Sequence, residues 1–174
     1  LYAVRFSEPN LLLSSRVHEN SKILYDRNPR QMVEKVAPWL TVDSDPYPAV
    51  VDGRIQWILD GYTVTDKYPL SQRESLEEMT DDSLQENTGF QTLPTDEVNY
   101  LRNSVKATVD AYDGSVTIYG FDETDPVLKT WAAAFPDVVK PASAISDSLR
   151  SHFRYPEDLF KVQRELLTEY HVDT

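Results

Sequence analysis

The stretch richest in residue types that do chemistry runs from His152 to Val172, HFRYPEDLFKVQRELLTEYHV. It has a histidine near each end, with arginines, carboxylates and aromatic rings between them. Two histidines can ligate zinc only if folding brings them together. His152 and His171 bracket one expected helix of about 15 residues, which is roughly 22 Å long. Because His18 is the only other histidine and no HExxH motif exists, the sequence predicts no metal site.

Paired carboxylates offer a second kind of chemistry. A hydrolase that acts on envelope glycans would need two carboxyl groups roughly 5–9.5 Å apart in a cleft. If the protein is such an enzyme, Asp110, Asp122 and Glu157 are the first residues to test. The sequence contains no GxSxG nucleophile motif, and its five glycines do not cluster into a phosphate-binding loop. We therefore assign no catalytic residue.

Short acidic motifs could instead ligate a hard cation such as calcium, which takes about six to eight oxygen ligands. These motifs are DSD (43–45), DAYD (110–113) and DETD (122–125). None has the spacing of an EF-hand loop. Turn and cap roles account for Asp113 and Asp125, which precede a glycine and a proline. We predict no metal and no cofactor, with calcium-dependent stabilisation as an alternative.

A ligand or partner surface is another possible use for the polar and aromatic side chains. Arg154 with Tyr155 could grip a carboxylate or a sugar ring. The simpler interpretation pairs Arg154 with Glu157 or Asp158 and packs Tyr155 under the start of the following helix.

Two Asp-Gly pairs predict the elements that would position these residues. Asp-Gly between two β-rich runs is the strongest short-range signal for a hairpin. One hairpin is expected over 48–65, turning at 52–53, and a second over 105–121, turning at 113–114.

The predicted second hairpin alternates in polarity. Apolar residues occupy the odd positions of 105–111 and mostly polar residues the even ones, so one sheet face should be packed and the other at least partly solvated. Tyr112, Tyr119 and Ile58 could be exposed there as a partner surface. A helix of the same domain could equally cover them.

Apolar stripes and prolines at helix starts predict helices to pack on this sheet. We expect an α+β fold with a mainly antiparallel sheet, built from the two hairpins and a strand over 1–6. The predicted helices span 29–40, 126–135, 145–153 and 156–170. Residues 68–98 carry eight carboxylates against one arginine and should form an acidic surface excursion.

The composition limits the class of protein. With 174 residues, the chain is expected to be one domain, since domains run roughly 100–200 residues. A net charge of −12 repels phosphate backbones and anionic surfaces, so nucleic acid is not an expected partner. No apolar run of about 18 residues exists, so this segment is not expected to span a membrane. The chain has no cysteine and begins at Leu1, and we expect it to be a fragment of a longer protein.

Three blocks of the sequence carry a family resemblance. They are VAPWLTVDSDPYPAVVDGRIQWILDGYT (36–63), YLRNSVKATVDAYDGSVTIYGFDETDPVLKTW (100–131) and the stretch from His152 to Val172. Together they resemble uncharacterised protein family 0182, a group of bacterial multi-pass membrane proteins without assigned function. The resemblance implies that this chain is a soluble piece of the large part outside the membrane, on the extracytoplasmic side. It supplies no catalytic or ligand residue.

The expected function is therefore an extracytoplasmic interaction or assembly module of a membrane protein. Its partners would be the rest of the parent protein or other envelope proteins, and a homo-oligomer is a further alternative. The rival hypothesis is the glycan-directed hydrolase with paired carboxylates.

Overall fold

The computed structural model describes residues 27–81 and 97–171, with side chains described as far as residue 169. The helices are α1 (Pro29–Val36), α2 (Leu76–Thr80), α3 (Pro126–Ala134), α4 (Asp147–Arg150) and α5 (Glu157–His171), with a 3₁₀ turn at Ala142–Ala144. The strands are β1 (Thr41–Val42), β2 (Tyr47–Val51), β3 (Arg54–Thr65), β4 (Glu74–Ser75), β5 (Glu97–Val98), β6 (Tyr100–Asp110), β7 (Val116–Gly120) and β8 (Val139–Pro141).

Six strands form one sheet in the order β1-β3-β6-β7-β8, with β2 also paired to β3. All pairings are antiparallel except that of β7 with β8. β4 and β5 make a separate two-stranded sheet. The expectation of an α+β fold with a mainly antiparallel sheet is confirmed.

Both predicted hairpins are present. β2 and β3 are joined by Asp52 (φ 50°) and Gly53 (φ 78°), and positive φ at both central residues defines the type I′ turn that suits a two-residue hairpin. The second reversal is longer, because five residues separate β6 from β7. Gly114 has φ 74°, and its amide donates to the Asp110 carbonyl at 2.9 Å.

The sheet is covered on both faces, which corrects the expectation of a partly solvated face. One core contains Val105, Ala107 and Val109 of β6. On the other side of the sheet Ile58 is fully buried in a second core with Tyr47, Val51, Ile145 and Leu149. Alternation in β6 separates polar from apolar residues, but the polar residues Lys106, Thr108 and Asp110 are buried as well.

The helices follow the predicted pattern, but α1, α3 and α4 are shorter than predicted, and α5 is shifted by one residue from the predicted 156–170. α1 ends at Val36 because Ala37, which precedes Pro38, has left the helical region (φ −130°, ψ 76°). The region predicted as a helix over 145–153 contains only α4, which Ser146 caps by accepting from the Leu149 amide at 3.1 Å. Within the acidic excursion, β4, α2 and β5 are described. Its middle, and the strand expected over 1–6, lie outside the described residues.

Candidate functional site

The start of α5 is held on the sheet by two buried polar side chains. The Asp43 carboxylate accepts the Tyr62 hydroxyl and the Asp158 amide at 3.0 Å. The Tyr62 oxygen accepts the Leu159 amide at 3.2 Å. The first amides of a helix have no intrahelical acceptor, so the Asp43 carboxylate and the Tyr62 oxygen supply the acceptors for two of them. Burial, together with the hydrogen bond to Asp43, raises the pKa of Tyr62 far above its usual value, and the phenol stays a donor.

The capping is reciprocal. The Asp158 carboxylate accepts the amide and the hydroxyl of Ser44, each at 2.7 Å. Asp43 also accepts the amide of Asp45 at 2.9 Å. The acidic motif at 43–45 therefore forms a turn that is hydrogen-bonded to the start of α5. We name Asp43, Ser44, Tyr62, Asp158 and the Leu159 amide the helix anchor.

A buried ion pair joins paired positions on the neighbouring strands β3 and β6. Lys106 and Asp60 pair directly, with side chains only 3% and 4% exposed, and the Asn103 amide group donates to Asp60 at 3.0 Å. The Lys106 ammonium also lies 5.3 Å and 5.1 Å from the ring centroids of Phe121 and Phe153, within range of a cation–π attraction. Burial raises the pKa of Asp60, although the positive charge of Lys106 acts to lower it.

Asp125 is another buried carboxylate, and it accepts four hydrogen bonds. The hydroxyls of Thr63 and Ser104 donate to one oxygen at 2.5 and 2.6 Å. The Tyr100 hydroxyl and the Val127 amide donate to the other at 2.7 and 2.9 Å. Burial acts to raise the pKa of Asp125, but these hydrogen bonds outweigh it and the pKa is lowered. Asp125 thus caps α3 and fastens it to β3 and β6.

The three carboxylates proposed for hydrolase chemistry lie on different parts of the fold. Asp110 makes a bidentate pair with Arg54 at 2.7 and 2.9 Å, and the hydrogen bonds from Arg54 and from the following turn lower its pKa to about 2. Asp122 pairs with Arg102 near the other end of β6. Eight residues of strand separate Arg102 from Asp110, which is roughly 26 Å. Glu157 lies on the first turn of α5. Asp110 and Asp122 are therefore far apart, and Glu157 pairs with Lys161.

Arg154 has a different partner from the one expected. Its guanidinium lies 4.4 Å from the ring centroid of Tyr47, and its amide donates to the Tyr47 hydroxyl at 3.2 Å. Glu157 and Asp158 pair instead with Lys161, at 2.9 and 3.9 Å. The expected ion pair between Arg154 and these carboxylates is therefore wrong.

The other predicted surface residues are divided between solvent and core. Tyr155 is exposed and its hydroxyl donates to Gln163 at 2.7 Å. Tyr112 is exposed beneath the Arg54 guanidinium, 5.1 Å from its ring centroid. Tyr119 packs against the second core.

Residues 27–81 and 97–171 contain no cluster of three or more histidine or acidic side chains arranged to hold a metal ion. His152 makes a contact of 3.1 Å between its Nε2 and the Val50 carbonyl. Of the described helices, none has both the length and the apolar character that a membrane crossing requires.

Two clefts lie against the segment that carries β4, α2 and β5. The larger, of about 870 Å³, has a mixed lining of polar and apolar residues, which include Val42, Ser44, Val64, Lys67, Leu76 and Asp158. The smaller, of about 320 Å³, lies between this segment and α5, and we name it the α5 cleft. Its lining is Ser71, Gln72, Glu74, Met79, Val98, Asn99, Tyr100, Leu101, Leu159, Val162, Gln163 and Leu166.

Sequence reasoning missed the helix anchor, the buried ion pair and the α5 cleft. One signal was available: Asp60 and Lys106 stand among apolar residues inside predicted strands, where an unpaired charge is costly. The apolar residues Leu159, Val162 and Leu166 form one stripe on α5, and Leu166 at its outer end is exposed.

Comparison with known proteins identifies relatives over the whole chain. The model of an uncharacterised protein family (UPF0182) matches residues 1–174. A UPF0182 protein of a Nocardioides species is 66% identical over 172 residues, which are 99% of this chain and 17% of the relative. UPF0182 proteins of Frankia alni and Corynebacterium glutamicum are 62% and 61% identical over 173 residues, again 99% of this chain but 17% and 18% of the relatives. No solved structure matches the chain.

Proposed function

Since the chain belongs to the uncharacterised protein family UPF0182 and spans less than a fifth of its relatives' length, we propose that it is an interaction or assembly module of a larger protein. In this proposal the parent is a bacterial membrane protein, its membrane segments lie outside this chain, and the module is displayed on the extracytoplasmic side. Its partner is the rest of the parent polypeptide.

The observation that supports the proposal is an apolar surface on α5. Phe160 and Leu167 are each 58% exposed and lie seven residues apart, so they share one side of the helix two turns apart. Residues 163–169 are all exposed, Leu166 among them. None of the described residues covers this surface.

Exposed apolar groups in this arrangement favour association. Fully burying one large apolar side chain is worth roughly 1.5–3 kcal/mol, so completing the burial of two half-exposed ones would contribute about 2–3 kcal/mol. Contiguous exposed apolar surface on a soluble domain typically marks an interaction site.

The test is the accessibility of α5 in the full-length parent protein. The chain has no native cysteine, so Leu167→Cys can be labelled with a maleimide and read by peptide mass spectrometry. Asp137→Cys, at an exposed position after α3, is the matched control. We expect both to react in the 174-residue chain and only Asp137→Cys to react in the parent.

Equal labelling of the two positions in the parent would contradict the assignment of α5 as the contact surface. If protection of Leu167→Cys depends on protein concentration and disappears on dilution, α5 contacts a second copy instead. In that case the intramolecular partner named here is wrong.

A further inference from the structure

The buried pair of Lys106 and Asp60 brings together the two groups from which an amide forms, an amine and a carboxyl group. They occupy directly paired positions on β3 and β6, the two longest strands of the sheet, so the backbone fixes both side chains. Since a C–O bond is about 1.2 Å long, the contact of Lys106 Nζ with Asp60 Oδ1 keeps Nζ within about 4 Å of the carboxyl carbon Cγ. Bound groups react readily when the reacting atoms are about 3–3.5 Å apart.

The surroundings of this pair disfavour charge. Lys106 Nζ lies 5.3 and 5.1 Å from the ring centroids of Phe121 and Phe153, and these two rings are in edge contact with each other at 5.7 Å. Burying two ions is costly, and the transfer of one proton from Nζ to the carboxylate removes both charges. Burial raises the pKa of Asp60, which acts in the same direction. The site therefore favours an amine beside a carboxylic acid.

Asn103 places a hydrogen-bond donor on the carboxyl group. Its Nδ2 donates to Asp60 Oδ1 at 3.0 Å and to the Gly61 carbonyl at 3.3 Å. On the other side, Lys106 Nζ donates to the Arg154 carbonyl at 3.5 Å. A fixed N–H group aimed at an oxygen stabilises the charge that develops there during a reaction. Both the amine and the carboxyl group are thus oriented by neighbours that take no part in the bond itself.

We propose that Lys106 and Asp60 condense to an intramolecular isopeptide bond that cross-links β3 to β6. One proton passes from Nζ to Oδ1, the Nζ lone pair forms a bond to Cγ, and the Cγ–Oδ1 bond breaks. Oδ1 leaves as water with the transferred proton and a second proton from Nζ. The products are one amide and one water molecule, so the step needs no oxidant, reductant or co-reactant. The ion pair in the structure is the reactant.

The cross-link would join two interior strands of the sheet by a bond that unfolding does not break. It closes a loop over residues 61–105, which restricts the unfolded chain. This inference goes beyond the proposed function and can fail without it, because it does not depend on what α5 contacts. The cost of breaking the ion pair by substitution is a property of the uncondensed chain, which is heavier than the cross-linked chain by one water.

The test is trypsin digestion of the unfolded full-length parent, read by peptide mass spectrometry. Without the bond, trypsin releases residues 55–67, which contain Asp60, and residues 103–106, which end at Lys106. With the bond, cleavage after Lys106 is blocked, and 55–67 is joined to 103–129 in one branched peptide. We expect this branched peptide, lighter by one water than its two parts together. Loss of water within a single peptide could not join the two.

Variants of the parent identify the bonded residues. Lys106→Arg keeps the positive charge, but a guanidinium stays protonated and is no nucleophile, so the branched peptide should disappear. Asp60→Ala should also remove it. Asp66→Ala is the matched control, since it replaces the other aspartate of residues 55–67, and the branched peptide should remain.

The hydrogen bond from Asn103 has a kinetic test. Asn103→Ser withdraws the donor from Asp60, and the branched peptide should form at least about tenfold more slowly after synthesis. Pulse labelling, followed by digestion at successive times, gives this rate for the variant and for the unsubstituted parent. An unchanged rate would overturn the role given to Asn103.

The unsubstituted parent decides the proposal even if a variant fails to fold. Complete cleavage after Lys106, with residues 55–67 released free from protein kept for days after purification, would overturn it. A bond from Lys106 to another residue, including Asn103 with loss of ammonia, would overturn it as well. Equal loss of the branched peptide in Asp60→Ala and Asp66→Ala would have the same consequence.

Discussion

Replacing Lys106 with methionine tests how far the sheet depends on its buried ion pair. The substitution keeps the length and most of the apolar contact of the side chain but leaves Asp60, whose side chain is 4% exposed, without its counter-charge. Breaking a buried pair by removing one partner typically costs about 3–5 kcal/mol. Because a domain is stable by only about 5–15 kcal/mol in total, Lys106→Met should leave the protein marginally folded.

The second arm of the experiment removes both charges. Asn103 still offers a donor to an asparagine at position 60, so the double variant Asp60→Asn/Lys106→Met should cost less than Lys106→Met alone, about 1–2 kcal/mol. The loss of the cation–π contacts with Phe121 and Phe153, each worth about 0.5–1 kcal/mol, sets the residual cost.

Urea unfolding followed by circular dichroism gives the free energies of unfolding of the unsubstituted chain, Asp60→Asn, Lys106→Met and the double variant, which together form a double-mutant cycle. Lys129→Met, at an exposed position on α3, is the control and should change the free energy of unfolding by less than about 0.5 kcal/mol. A cost below about 1 kcal/mol for Lys106→Met, or additive single and double effects, would refute the reasoning.

The pH dependence of Lys106→Met supplies an independent check. Burial already raises the pKa of Asp60, and loss of the lysine should raise it further. A carboxyl group with a raised folded pKa binds more protons in the native state than in the unfolded state, so stability falls as pH rises. Lys106→Met should therefore be least impaired near pH 4, close to the ordinary aspartate pKa, and lose stability toward neutral pH.

Three further outcomes follow from single contacts. Asp43→Asn weakens the acceptor at the start of α5 and should cost about 1–3 kcal/mol in urea unfolding. Gly61→Ala should cost about 1–2 kcal/mol, because an added Cβ would lie 2.7 Å from the Leu40 Cδ2 atom, and thermal unfolding will show it. Asp110, with its pKa lowered to about 2, contributes stability that is present above about pH 4 and lost as pH falls toward 2. NMR titration of its carboxyl carbon will measure this pKa.

Elements that depend on neighbouring residues could be predicted from the sequence. An Asp-Gly pair at 52–53 needs only its own positive φ angles to form the turn between β2 and β3. Prolines at 29 and 126 begin α1 and α3, because a fixed φ and a missing amide suit the first helical position. Such features require no knowledge of what lies across the fold.

Contacts between distant residues could not be predicted in this way. Asp60 and Lys106 are 46 residues apart, and the Asp43 carboxylate meets an amide of α5 from 115 residues further along. A polar residue in a strand pattern has the same appearance in sequence whether it faces water or a buried partner. For this reason the alternation in β6 indicated a solvated face where the structure has a second core.

The two ends of α5 use different interactions, and this difference bears on how a module could be displayed. Its first turn is fixed by the helix anchor, in which charged and hydroxyl groups satisfy amides that would otherwise be costly to bury. Residues 163–169 are exposed, with Gln163 and Leu166 at the α5 cleft. Hydrogen bonds of this kind fix orientation because they are directional, whereas apolar area adds affinity without fixing geometry. A helix oriented by polar contacts at one end can therefore present its apolar residues to a partner in one defined direction.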